Sequence, residues 1–371
     1  MRITELATPA VLIESSRLER NLQRMQAAVS ARQRRLRPHA KTHKSPVVAR
    51  MQVERGAVGI CCAKLGEAEV FADAGIGDIR LPYPLNPVNA DRVLALAERV
   101  HLSFIVDDES IAKAWSEVAL GAGRQLDLLI KVDVGFHRCG IDPQPRSAAD
   151  VVQRIASMPG LRFKGLLSHA GHAYGVNCDE EARAIAEDEA RTLVDLAARS
   201  GVRCEEISVG ATPTARFSVD MDGLTELRPG NYAYYDRTQV ALGAAEWDDC
   251  ALTVLARVVS HPAPDRLIFD SGSKTLTNDA ARGRGNTAGH GAVLDDIQGS
   301  RPDEALLIER LSEEHATVRD LEGASRLAIG DLVRIIPNHS CVVSNMVDAV
   351  WLVDGETVVE RLPVAARGRI T

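Results

Sequence analysis

No apolar run in the sequence approaches the ~20 residues that a membrane-spanning helix requires. The opening stretch MRITELATPAVLIESS also lacks the basic segment and long apolar core of a signal peptide, so a cytoplasmic protein without a membrane partner is expected. Basic residues are not in excess: 44 Lys and Arg stand against 51 Asp and Glu, a formal net charge of -7 that argues against nucleic acid as the main partner. The seven cysteines include no paired C-x-x-C and no framework spacing, which excludes a disulfide scaffold. All of them except Cys341 read as buried small apolar residues. Internal repeats, heptad seams and low-complexity tails are absent as well.

What is present is an ordinary globular composition, 45% hydrophobic and 26% charged, on a chain of 371 residues, longer than a single core usually supports. From residue 10 to about residue 210, short β-branched runs alternate with longer amphipathic stretches such as SRLERNLQRMQAAVS and EEARAIAEDEARTLVDLAARS. Eight candidate strands follow: AVLIE, LRPHA, AVGICC, DIRLPY, LSFIVD, LDLLIKVDV, FKGLLSHA and EISVG. Repeated βα units of this kind predict an α/β fold, a (β/α)8 TIM-like barrel with its active site at the C-terminal strand ends; a doubly wound open sheet is the alternative. Beyond residue 235 the segments VLARVVS, RLIFDSGS, LVRIIP and VWLVDGETVVERLPVA predict a C-terminal, mostly β domain. The division expected is 1–235 and 236–371, with the N-terminal ~10 residues packing on the second unit. The Gly- and Asn-rich NDAARGRGNTAGHGAVLDD reads as a loop.

The densest polar cluster, RPHAKTHKSP, brings Lys41 and Lys44 together with His39 and His43 at a predicted strand end. A semi-buried lysine beside other positive charge loses its proton more readily and can form a Schiff base; a solvated basic loop is the plainer reading. SVGATPTARF then supplies Gly210, Ala211 and Thr212 ahead of a short helical segment, a turn suited to phosphate, and Gly230 and Asn231 of RPGNYAYYD could complete the cup. His339 and Cys341 stand two residues apart in PNHSC, which on an extended strand aims both side chains at one face. Imidazole and thiolate so placed can share a metal, Zn²⁺ first, although H-x-C alone is unspecific. His169 and His172 of SHAGHAY lie at another predicted strand end, where each singly reads as a hydrogen-bonded structural residue.

Taken in order, TPAVLIE, RPHAKTHKSP, GAVGICCAKLGEAEVFADAGIGDI, KVDVGFHRCGI, SVGATPTA, ELRPGNYAYYD, PNHSC and VAARGR resemble the D-threonine aldolase and D-serine dehydratase family, pyridoxal-phosphate enzymes with an alanine-racemase-like barrel. The resemblance implies that Lys41 carries pyridoxal 5'-phosphate and that Arg138 lies at the phenolic oxygen of its ring. It further implies phosphate contacts from Gly210, Ala211, Thr212, Gly230 and Asn231, and Tyr174 near the pyridine nitrogen. His339 and Cys341 match the family's ligands to a divalent metal (Zn, Mn or Mg), and a homodimer acting on a small D-amino acid is implied too.

A metal beside the cofactor would ligate and acidify a β-hydroxyl, so a β-hydroxy substrate is expected. Two branches of the family then compete. DSGSKTLTND and ICCAK look like the aldolases, which cleave Cα–Cβ to glycine and an aldehyde. Cys341, where aldolases often have aspartate, looks like the dehydratases, which release ammonia and a 2-oxo acid. The aldolase reading is favoured, with His172 or His169 as the base for the hydroxyl proton. Glu313, Glu314 and His315 of SEEHAT look like a motif near the metal. A racemase would need a second base opposite the cofactor lysine, and a non-catalytic cofactor carrier would not need the β domain.

Overall fold

The computed structural model describes residues 1–283, 287–299, 301–323 and 325–371. Between residues 35 and 227 the alternating runs form eight parallel strands in the order Arg35–Leu36, Glu226–Leu227, Glu206–Val209, Leu161–Leu167, Leu126–Lys131, His101–Val106, Asp78–Pro84 and Ile60–Cys61. A parallel bridge between His39 and Cys61 joins the two ends of that order and closes the barrel. Amphipathic helices pack outside; Ser15–Ala31, for example, buries Leu18, Leu22 and Val29. Helix boundaries follow local chemistry. Asp108 caps Glu109–Gly121 by accepting from the backbone N–H groups of Ser110 and Ile111 at 2.8 and 3.1 Å. Asp179–Ser200 opens on three acidic residues and stops at Gly201, whose φ of 62° suits a residue without a Cβ.

The strand list needs one exchange. AVLIE is not a barrel strand: Ala10–Glu14 pairs antiparallel with Leu252–Ala263 and parallel with Ala349–Asp354, in the middle of the second sheet. The missing barrel strand is the two-residue Glu226–Leu227, too short to leave a periodic signal. EISVG is therefore the seventh strand in the barrel's chain order and TELRPG holds the eighth.

The second sheet has nine strands, with the main path Leu306–Leu311, Ala316–Asp320, Arg266–Phe269, Leu252–Ala263, Ala10–Glu14, Ala349–Asp354 and Thr357–Pro363. Leu332–Ile336 pairs with both Leu252–Ala263 and the short Ala292–Val293. The latter falls in the stretch expected to be a loop, of which residues 284–286 lie outside the described residues. Among the cysteines expected to be buried, Cys61, Cys62 and Cys250 are; Cys139, Cys178 and Cys204 are half-buried because they sit in connections and a helix cap, not in strands. Among the described residues no helix is long and apolar enough to cross a membrane.

The barrel interior is charged near its middle. Fully buried Arg80 donates to Ser103 Oγ at 2.9 Å and pairs with Glu206 at 2.6 Å and with Glu226. Arg37 Nε reaches the other Glu226 oxygen at 2.9 Å, and Ser208 Oγ donates to Glu226 at 2.6 Å. Burial pushes the Glu226 carboxyl up, but Arg80 and Arg37 outweigh it and hold the group well below the usual carboxylate range. Glu226→Gln leaves two buried guanidinium groups without their shared counter-charge and is expected to destabilise the fold by on the order of 3 kcal/mol in urea denaturation at neutral pH. A lowered folded-state pKa contributes stability above the unfolded value that is lost as the pH falls through the folded one, so the gap between parent and variant should narrow on acidification. A gap that stays constant would mean that Glu226 contributes by shape alone.

Candidate active site

The C-terminal strand ends open into a cavity of about 310 Å³, roofed by the helix Ser340–Met346 of the second unit. Lys41 lines it from the 3-10 turn Ala40–Thr42, where its N–H donates to His39 Nδ1 at 3.4 Å. Its side chain is exposed to the cavity, not semi-buried as its strand-end position predicts, because the turn carries it clear of the sheet. The neighbouring candidates are engaged elsewhere. Lys44 is buried with Nζ 3.0 Å from Glu67 and 2.7 Å from Asn345, and Lys64 sits over the Tyr83 ring at 4.1 Å. Lys131 also lines the cavity from its strand, with its ammonium pushed down by burial and by the charge of Arg228.

Next along the wall, Gly210, Ala211 and Thr212 face Gly230 and Asn231. A Cβ at Gly230 would lie 2.9 Å from the His39 carbonyl oxygen, and one at Gly210 would lie 3.2 Å from Arg228 Cβ, so neither position admits a side chain without displacement. Thr212 Oγ1 is buried and has no hydrogen-bond partner among the described residues. A phosphate oxygen satisfies a lone hydroxyl donor of this kind, and the bare glycines leave it room, so the residues present fit the phosphate end of the cofactor. Across the cavity Arg138 lies over the Phe136 ring at 5.3 Å and has no ion pair or hydrogen bond among the described residues, so its guanidinium is free to meet the ring oxygen. Tyr174 lines the same space with its phenol raised by burial.

The two SHAGHAY histidines part company. His169 lines the cavity, and its Nδ1 contacts the Gly210 carbonyl oxygen. A carbonyl only accepts, so Nδ1 carries the proton and Nε2 keeps the lone pair. Burial and the charges of Lys41, Lys131 and Arg138 hold the ring neutral. His172 is not among the lining residues: it is half-buried, its ring lies against Gly135, and its Nδ1 has no partner among the described residues.

His339 and Cys341 converge, though not on a strand. His339 is the extended residue preceding the helix Ser340–Met346, and Cys341 lies in its first turn. Asp236 enforces that turn by accepting from Ser340 N at 2.9 Å and Ser340 Oγ at 3.2 Å. Cys341 Sγ is 3.2 Å from Thr42 Oγ1, beside Lys41, and His339 Nδ1 is 2.6 Å from Asp279 Oδ2. Burial opposes charge on His339, but Cys341, Asp236 and Asp279 raise its imidazole to about 10, and the same contact lowers the Cys341 thiol against its burial. An imidazole nitrogen and a thiolate sulfur fit a borderline-soft divalent ion. Among the described residues no group of three or more His, Cys, Asp or Glu is placed to hold an ion. Glu313 and Glu314 are exposed on a hairpin with His315, and both pair at 3.0 Å with Lys274 of the helical turn Ser273–Leu276, which packs against the helix Ser340–Met346.

Residue-by-residue reading of the sequence passed over Lys131, Arg228, Asp236, Asp279 and Arg282, which also line the cavity. Lys131 opens KVDVGFHRCGI, Arg228 and Asp236 lie in ELRPGNYAYYD, Asp279 closes DSGSKTLTND and Arg282 falls in NDAARGRGNTAGHGAVLDD, so all five lay inside stretches already singled out.

The family described as alanine racemase, N-terminal domain, matches residues 13–238, and a putative serine dehydratase domain matches residues 251–353. D-Threonine aldolase of Arthrobacter sp is 32% identical over 375 residues, 99% of this chain and 94% of that protein. The chain belongs to the D-threonine aldolase and D-serine dehydratase family. Within that family of pyridoxal-phosphate enzymes, D-threo-3-hydroxyaspartate dehydratase of Delftia sp. (strain HT23) is 34% identical over 348 residues, 91% of each chain. A solved Cys-to-Ala variant of D-threo-3-hydroxyaspartate dehydratase in the metal-free form superposes with a TM-score of 0.91 at 32% identity, covering 98% of both chains.

Two outcomes follow from this geometry. Borohydride reduction of cofactor-loaded protein, followed by peptide mapping, should mark Lys41; label on Lys131 would transfer the cofactor to the buried strand lysine. Because Asp279 holds Nδ1 of His339 and so presents Nε2, Asp279→Ala should weaken metal affinity by about 10- to 100-fold in competition with a chelating dye, at unchanged cofactor content. Unaltered affinity would mean that Asp279 does not orient the ligand.

Proposed function

We propose that the protein is a pyridoxal-phosphate- and divalent-metal-dependent lyase of the D-threonine aldolase type, cleaving D-β-hydroxy-α-amino acids to glycine and an aldehyde. The observation that carries the reading is the meeting, in one cavity, of Lys41 with the His339 and Cys341 pair through the 3.2 Å contact of Cys341 and Thr42. The cofactor supplies an electron sink at Cα, and the metal a Lewis acid at the β-oxygen. In this proposal the chain's own residues do the rest. Lys41 anchors the cofactor, Thr212 and the two glycine turns seat its phosphate, and Arg138 meets its phenolic oxygen. Tyr174 stands near the pyridine nitrogen. His339 and Cys341 hold the ion, and His169, with Nε2 unprotonated, takes the hydroxyl proton. The barrel unit, 1–235, thus contributes the cofactor site and the unit 236–371 the metal, and a homodimer is expected from the likeness to relatives.

The relatives divide between aldolases and dehydratases, and a metal-free form is described for one of them, which supports a metal in this site. A second reading, D-serine or D-3-hydroxyaspartate dehydratase, is favoured by the thiol of Cys341.

Incubation with D-threonine or D-β-phenylserine should release glycine and the matching aldehyde, with L-isomers inert, because one Cα configuration alone aligns the scissile bond while the hydroxyl stays on the metal side. Chelation should abolish turnover and leave the cofactor's ~420 nm band in place. His169→Phe should slow cleavage on the order of 10²-fold, and His172→Phe much less. Ammonia and a 2-oxo acid without glycine would replace the aldolase by the dehydratase.

A further inference from the structure

The cavity lining carries five Lys and Arg side chains, Lys41, Lys131, Arg138, Arg228 and Arg282, against two carboxylates, Asp236 and Asp279, in a protein whose net charge is -7. The cofactor's phosphate, its phenolic oxygen and the bond to Lys41 occupy part of this excess, and Arg228 is already committed to Ser208 and the Ser168 carbonyl. Arg138 faces the cofactor ring in the reading above. That leaves Arg282. Its side chain is exposed at the cavity, and its guanidinium has no ion pair and no hydrogen bond among the described residues.

Arg282 is not a loose surface residue. Its backbone N–H donates to Thr238 Oγ1 at 3.3 Å, Thr238 Oγ1 donates to the Asn338 carbonyl at 2.8 Å, and Asn338 Nδ2 returns to the Asp279 carbonyl at 3.0 Å. Arg282 is thereby stitched to Asp279, which holds the His339 ring at 2.6 Å. A substrate whose β-oxygen is held at His339 and Cys341 must carry its remaining β-substituent along this same wall. The one unmatched charge on that wall is positive, and an unpaired guanidinium next to a bound group selects carboxylate or phosphate over methyl or phenyl.

We infer that Arg282 is a specificity-determining residue that receives a second carboxylate on the substrate's β-carbon, so that the preferred substrates are β-hydroxy-D-amino dicarboxylic acids of the 3-hydroxyaspartate class. The inference rests on the proposed function in assuming that the β-hydroxyl lies at His339 and Cys341; the charge preference can be read without it.

The test uses metal-loaded holoenzyme and two isosteric pairs that differ in charge alone. For turnover these are D-threo-3-hydroxyaspartate and D-threo-3-hydroxyasparagine, with D-threonine as a neutral reference. For binding they are D-aspartate and D-asparagine, which lack the hydroxyl, titrated by the change in cofactor absorbance. The parent enzyme should favour the dicarboxylate of each pair by about 10- to 100-fold, the range expected for a charge-assisted contact, and the preference should shrink with added salt because the arginine is exposed. Arg282→Met should erase the preference while changing D-threonine turnover less than about threefold, and Arg282→Lys should retain part of it. Equal affinity and turnover within each pair would overturn the inference. So would an Arg282→Met loss shared by all the amino acids, which would place Arg282 at the α-carboxylate common to them. If no β-hydroxy-D-amino acid is turned over, the proposed function fails; the D-aspartate to D-asparagine ratio still decides the role of Arg282.

Discussion

The site hangs on the buried carboxylate of Asp236. It lies where the barrel's last strand end leads into the second unit, and burial pushes its carboxyl up, a cost that donors must offset. Four do: Asn231 Nδ2 at 2.6 Å, Ser340 N at 2.9 Å, Ser340 Oγ at 3.2 Å and Gln239 N at 3.0 Å. They come from three separate segments. Asn231 begins the turn after Gly230, Gln239 lies in the first turn of the helix Arg237–Ala241, and Ser340 sits between the two metal-ligand candidates. Water cannot replace these donors in a closed junction, so the carboxylate fixes all three parts relative to one another.

Beneath that junction the barrel floor is held by charge as much as by apolar packing. Glu226 is shared by Arg37 and Arg80, and through Ser208 it leads to Arg228, whose guanidinium then rises into the cavity. Arginine keeps its charge at any working pH, so positive potential is maintained in the cavity whatever the neighbouring lysine and histidine do. Burial, with the charges of Lys41 and Arg228, keeps His39 neutral, and burial with those of Lys41, Lys131 and Arg138 does the same for His169, whose Nε2 keeps a free lone pair. Structure and proton inventory are thus set together, by burial acting on a row of fixed cations.

Much of this could be read along the chain. The βα rhythm gave the barrel, the change of texture after residue 235 gave the β unit, and Lys41, Arg138, His169, Tyr174, the two glycine turns, His339 and Cys341 all line one cavity. Errors clustered where a local pattern had two possible tertiary partners. Ala10–Glu14 is buried on both faces, so nothing in AVLIE says which sheet takes it, and Glu226–Leu227 is too short to show a period. PNHSC looks extended by spacing, yet Asp236, about a hundred residues earlier, supplies the acceptor that turns it into a helix start. SEEHAT closes a hairpin whose Glu313 and Glu314 pair with Lys274 of Ser273–Leu276, a turn packed against Ser340–Met346, and no window around SEEHAT shows that pairing.

The sequence by itself determined the elements, the family and the residue types of the site, since those depend on periodicity, turn chemistry and motif order within short windows. Tertiary structure alone decided which of two adjacent histidines faces the cavity, which of several lysines is free, and that Asp279 and Arg282 stand beside His339. Those choices depend on what lies across the gap from each side chain: the Gly210 carbonyl that orients His169, the Glu67 carboxylate that occupies Lys44, and the absence, among the described residues, of any partner for the Arg282 guanidinium. Such pairings join residues tens to hundreds of positions apart, and no local pattern along the chain carries them.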